Sequence, residues 1–115
     1  MPLTVRTLPS GIRVLQPAGR LDLLGEQAIS LKFTAEANGA GSSLIVDLSA
    51  VTYIASIGLR LFFSNARSLK PRGHRMILLQ PSTAVEEILR LAGVDTFCPI
   101  TADATEAERL ALGAS

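Results

Sequence analysis

The apolar positions of the chain follow two periods, and the switches between them divide it into elements. Leu3-Thr-Val-Arg-Thr-Leu8 alternates apolar and polar residues, Ile12-Arg-Val14 does the same, and Pro9-Ser-Gly11 supplies turn residues between them. This predicts an antiparallel hairpin. Gly19-Arg-Leu-Asp22 is expected to end the second strand, with Asp22 placed to cap the helix that follows. That helix is predicted over 23–38 and carries two apolar stripes. At 100° per residue Ile29, Phe33 and Ala37 share one face, while Leu24, Ala28, Leu31 and Ala35 share the nearly opposite one. Phe33 would lose most from exposure, so its side is assigned to the sheet. The Leu24/Leu31 stripe is then either a contact surface or covered by a neighbouring loop.

Asn38-Gly-Ala-Gly41 is a helix stop, and it lacks the Gly-Lys-Ser/Thr ending of a phosphate loop. Leu44-Ile-Val46 followed by Leu48 is a continuous aliphatic run, which suits a strand covered on both faces. Asp47 at its end is expected to bond a nearby loop. The stretch 49–55 is read as a connection returning to the protein body through Val51, Tyr53 and Ile54. Ser56 stands at the start of the next helix, predicted over 57–70, where a hydroxyl can cap the free N–H groups and an anion is tolerated. The spacing assigns Leu59, Phe62, Phe63, Ala66 and Leu69 to the buried stripe of that helix. Ile57 and Leu61 are expected to project oppositely, among Arg60, Ser64 and Ser68, either as a docking patch or as isolated exposed apolar residues.

Pro71-Arg-Gly73 is a turn and Met76-Ile-Leu-Leu79 a further buried strand. Thr83 and Glu86 have the spacing of a capping box for a third helix with Val85, Ile88, Leu89 and Ala92 inside, ended by Gly93. A short strand is predicted over 94–100 and a last helix over 104–112. Strands first, then alternating helix and strand, make one α/β domain over residues 1–115 with a mixed sheet.

Composition narrows the function classes. With 48% hydrophobic residues, 115 residues can bury one core without disulfides or metal. Eleven basic against ten acidic residues, net +1, give no field that would favour nucleic acid or an anionic membrane. Aromatic residues make up 4% and Trp is absent, which disfavours base stacking. The lone Cys98 allows no internal disulfide. No basic start followed by an apolar run, and no apolar run of about 20 residues, is present, so a soluble cytoplasmic protein is expected. The one histidine, His74, follows a turn, there is no Gly-x-Ser-x-Gly elbow, and no paired spacing points to metal. No enzyme, metal or cofactor is therefore expected. Arg67, Lys70, Arg72 and Arg75 read as a solvated helix end and turn, with a nucleic-acid patch as the lesser alternative.

Gly19-Arg-Leu-Asp22, Ile45-Val-Asp-Leu48, Tyr53-Ile-Ala-Ser-Ile-Gly-Leu-Arg60 and Pro81-Ser-Thr-Ala-Val85, in this order, resemble the STAS domain, shared by bacterial anti-sigma factor antagonists and the cytoplasmic tails of sulphate transporters. The resemblance covers nearly the whole chain. It implies a mixed sheet of about five strands with helices packed mainly on one face. It also implies an anti-sigma factor antagonist that binds an anti-sigma factor which is a serine kinase, is phosphorylated at the helix start after the central strand, and is restored by a phosphatase. By position in the motif the phosphoacceptor falls on Ser56, and the partner surface on Asp22, Ala55, Ile57, Gly58, Arg60 and Leu61. Two positions depart from the family: its usual Asp before the acceptor is Ala55, and its usual second Ser or Thr is Ile57. STAS-like proteins also serve as unphosphorylated scaffold subunits of lipid-transport ABC complexes and stress-sensing assemblies, and that alternative stays open, as does a homodimer.

Overall fold

The computed structural model describes residues 2–113. The hairpin forms from β1 (Leu3–Thr7) and β2 (Arg13–Pro17), antiparallel with Val5 opposite Leu15. Strand β2 pairs parallel with β4 (Leu44–Asp47), β4 with β6 (Met76–Leu79), and β6 with the two-residue β7 (Ile100–Thr101). The five strands make one mixed sheet in the order β1-β2-β4-β6-β7. Helices α1 (Leu23–Gly39), α2 (Ser56–Leu69), α3 (Thr83–Leu91) and α4 (Ala104–Ala111) cover it.

Period two in the central strands decides which helix goes where. Leu44 and Val46 of β4, with Met76 and Leu78 of β6, join a core completed by Ile29, Phe33 and Ala37 of α1, Phe62 and Leu69 of α2, and Val85 and Leu89 of α3. Ile45, Ile77 and Leu79 point the other way and are covered by Ala107 and Ala111 of α4. Three helices therefore lie on one face and one on the other. Helix α1 turns its Phe33 stripe inward and leaves Leu24 and Leu31 in solvent.

Four local expectations change. Gly19-Arg-Leu21 does not end β2 but forms a separate strand, β3 (Gly19–Leu21), and the supposed connection contains β5 (Val51–Ile54); the two pair in parallel as a small second sheet. Gly19, at φ 84°, provides the left-handed step that re-aims the chain from one sheet to the other. Tyr53 consequently faces outward, its ring 4.6 Å below the Arg20 guanidinium carbon. Helix α3 is capped one residue earlier than predicted: Ser82 Oγ accepts from Val85 N at 3.2 Å, and Thr83 is the first helical residue. Finally, 94–100 is mostly not a strand. Gly93 at φ 79° opens a 3-10 turn over Val94–Thr96, in which the Phe97 and Cys98 N–H groups both donate to Val94 O. That tight turn lets Val94 and Cys98 reach the core, and only Ile100–Thr101 remains to pair with β6.

Candidate functional site

Strands β3 and β5 run side by side and each delivers the chain into a helix. Leu21 pairs with Ile54, and Ala55 N donates to Leu21 O at 3.0 Å, so α1 and α2 begin next to each other at one edge of the molecule. In each helix the third residue is glycine, and each glycine lies against the backbone of β3. A Cβ on Gly25 would stand 1.8 Å from Arg20 O, and one on Gly58 2.9 Å from Leu21 O. The two helix mouths can approach the strand this closely only without side chains there.

The two mouths differ in how they are capped. Asp22 Oδ1 accepts from Gly25 N at 3.0 Å, which closes α1. This bond, followed by the one from Arg20 Nε at 3.3 Å, holds the Asp22 carboxyl below its ordinary pKa. The predicted cap of α2 is displaced: Ala55 occupies the N-cap position and offers no side-chain acceptor. Ser56 is the first helical residue instead, exposed, and its hydroxyl forms no hydrogen bond among the described residues. The first N–H groups of any α-helix lack an intrahelical acceptor. At α2 Ala55 N donates to Leu21 O and Gly58 N to Ala55 O, which leaves the N–H groups of Ser56 and Ile57 without an acceptor among the described residues and able to stabilise negative charge.

Of the six positions assigned to a partner surface, Arg60 is exposed and Asp22, Ala55 and Ile57 are half-buried, while Gly58 and Leu61 are buried. Leu61 is a correction: it is 6% exposed and packs into the core rather than projecting outward. Helix α2 is rotated from the predicted phase, burying Gly58, Leu61, Phe62, Asn65, Ala66 and Leu69, and leaving Leu59 and Phe63 only half-buried. Gly58 seats the helix against β3, and α1 lies along its flank with Phe33 and Phe62 ring centroids 5.8 Å apart. The residue that hid this phase is Asn65. It is polar yet 2% exposed, because its Nδ2 donates to Leu61 O at 2.9 Å and Thr34 Oγ1 at 3.3 Å. Between the two helices runs a shallow groove with Leu61 and Asn65 in its lining and Leu31, 88% exposed, on its α1 side. The Ser56 edge and this groove share Arg60.

Other candidates lie elsewhere. His74 follows the opposite end of α2, where its N–H donates to Leu69 O. Asp47 makes the local bond expected of it, accepting from Ser49 N at 2.9 Å. Burial pushes the Cys98 thiol up to about 12. Among the described residues no helix is long and apolar enough to cross a membrane.

The family model of the STAS domain matches residues 5–107. The chain belongs to the STAS domain family. This STAS domain is similar in structure to an anti-sigma factor antagonist from Mycobacterium paratuberculosis, with TM-score 0.85 and 21% identity over 96% of this chain and 92% of that one. It is likewise similar to the anti-sigma factor antagonist SpoIIAA in its unphosphorylated form, with TM-score 0.78 and 21% identity over 98% of each chain. The phosphorylated form of SpoIIAA, a Bacillus cell fate determinant, gives TM-score 0.69 and 20% identity over 94% of this chain and 98% of that one. Such identities speak for the shared fold. No curated protein matches the sequence. The STAS assignment covers β3, β5 and the two helix mouths, where Gly25 and the uncapped start of α2 had gone unread. A glycine three residues after the capping Asp22 was the visible signal for Gly25, since glycine inside a helix gives up stability against alanine and calls for a packing reason.

Proposed function

We propose that this STAS domain is an anti-sigma factor antagonist, a binding protein without catalysis of its own, that captures a serine kinase anti-sigma factor and is released by phosphorylation of Ser56. The observation that carries this reading is the exposed, unbonded hydroxyl of Ser56 in the first turn of a helix whose cap is alanine. In the transfer the Ser56 oxygen would form a bond to the γ-phosphorus of ATP, its proton passing to a base of the kinase and ADP leaving. The product carries about −1.5 to −2 charge beside free N–H groups, which can solvate it without disturbing the fold. A partner seated over Ala55, Ile57 and Arg60 would instead have to bury that charge, which is costly unless it is paired. The likeness to SpoIIAA, known in phosphorylated and unphosphorylated forms, supports the same reading.

The test measures affinity for the serine kinase anti-sigma factors of the same genome with wild type, Ser56→Ala and Ser56→Asp. Ser56→Ala should bind as wild type does and Ser56→Asp at least about tenfold more weakly, about 1.4 kcal/mol. Ser56→Asp should keep the wild-type thermal midpoint. Equal affinity of both variants rejects the charge switch. The second reading, an unphosphorylated scaffold subunit of a lipid-transport ABC complex or stress-sensing assembly, draws on Ala55 and Ile57. Its signature would be co-purification with a transporter and no phosphate on Ser56 by mass spectrometry after kinase treatment.

A further inference from the structure

At the far end of α2 from Ser56, a cavity of about 500 Å³ opens between the last turn of the helix, the start of β6 and the 3-10 turn at Val94–Thr96. Its volume falls within the roughly 300–1,000 Å³ of small-molecule sites. One wall is apolar: Phe63 and Phe97 meet edge to face at 5.5 Å and 83°, with Ala66 beside them. Beyond Gly73 and Thr96 the remaining lining comes from Arg67, Lys70, His74 and Arg75, and it includes no Asp or Glu.

What sets these basic side chains apart is that they gather around one space, whereas Arg6 and Arg60, which also lack a side-chain partner among the described residues, lie apart from it. Arg13, Arg20, Arg90 and Arg109 each pair with a carboxylate. Arg72, next to the cavity residues in sequence, donates to Asn38 O at 3.1 Å, and Arg75 donates to Leu110 O at 3.3 Å. The side chains of Arg67, Lys70 and His74 form neither hydrogen bond nor ion pair among the described residues. A helix C-terminus attracts cations, but its charge is only about half a unit. It does not account for this many basic groups around a space walled by aromatic rings. Nor does it account for Phe97, 55% exposed beside them.

We infer that this cavity binds an anionic amphiphile, a small apolar body ending in one carboxylate or phosphate. The body lies against Phe63 and Phe97, removing their apolar surface from water, and the anion meets Arg67 and Lys70 at the rim. A nucleobase is a poorer match. The Arg and Lys side chains of the lining only donate, so apart from the Thr96 hydroxyl and the His74 ring it offers no side-chain acceptor for the amino and ring N–H groups of a base. This inference does not depend on Ser56, which sits at the other end of a helix of 14 residues.

Titrations of the 15N-labelled chain followed by NMR test it with five probes: octanoate, octyl phosphate, phenyl phosphate, octanol and inorganic phosphate. Octanoate or phenyl phosphate should shift residues 63–75 and 94–98 and saturate at one equivalent, at least tenfold tighter than octanol or inorganic phosphate. Octyl phosphate, which keeps octanoate's alkyl body and changes only the head, separates the two anions: tighter binding than octanoate assigns a phosphate ligand, weaker binding a carboxylate one. Arg67→Gln with Lys70→Gln, both at exposed positions, should weaken that binding at least tenfold, as should Phe97→Ala, whereas Ser56→Ala should leave it unchanged. No saturable binding overturns the inference, as does octanol binding equally well, inorganic phosphate binding equally well, or variants that bind like wild type.

Discussion

Gly25 is held to glycine by a single oxygen. A methyl at this position would meet the Arg20 carbonyl at 1.8 Å, and a backbone atom of a paired strand cannot move aside as a flexible side chain would. Gly25→Ala should therefore lose about 1–3 kcal/mol in urea unfolding. Gly39→Ala, where the nearest obstacle is the end of the Arg13 side chain at 3.6 Å, should be neutral or slightly stabilising. Cys98 makes a prediction in pH. Burial raises its thiol from 9.0 to about 12, so between those values the unfolded chain has lost a proton that the folded chain keeps. Stability from this group is full below about pH 9 and is lost as pH rises toward about 12, by at most about 1.4 kcal/mol per pH unit. The urea midpoint of wild type should fall more steeply between pH 9 and 11 than that of Cys98→Ala. Parallel curves would mean that the thiol ionises freely in the native state. These residue-level effects were only partly visible beforehand: the lone cysteine was, but the carbonyl facing Gly25 belongs to a strand whose existence depended on pairing with β5.

Each helix obeys its local chemistry, and each owes its orientation to a neighbour. Ser82 shows the first point: its hydroxyl satisfies the Val85 N–H, so Ser82→Ala should cost about 1 kcal/mol, while Thr83→Ala, just inside the helix, should cost far less. Thermal unfolding of the two variants side by side checks the assignment. Helix α1 was legible in full, because Phe33 is too large to leave in water and fixed which of two stripes turned inward. Helix α2 was legible in extent but not in phase. Its apolar residues fit two stripes one position apart, and the polar Asn65 lies in the one that is buried. The bond from Asn65 to Thr34 of α1 joins residues far apart in the chain, so no local window contains it.

At the level of the whole molecule, two faces of one sheet need two separate covers. Ending the chain after Thr101 would remove α4 and uncover Val14, Ile45, Ile77 and Leu79, all buried. Such a truncation should lose cooperative thermal unfolding and the dispersed amide spectrum of a packed core. A truncated chain that melts as sharply as wild type would show that α4 contributes little. The central strands announced this arrangement, since runs of four buried residues such as Leu44–Asp47 and Met76–Leu79 fit only strands covered on both sides.

Local periodicity sufficed for the hairpin, the two central strands, the extents of the four helices and the placing of Ser56 at a helix mouth, because period and turn chemistry are written in neighbouring residues. Tertiary contact decided the pairing of β3 with β5, the rotation that buried Leu61, the close approach at Gly25 and Gly58, and the gathering of Arg67, Lys70 and His74 beside Phe97. Those features depend on which distant surfaces meet. A stretch of chain records how often an apolar group recurs, not what will be packed against it.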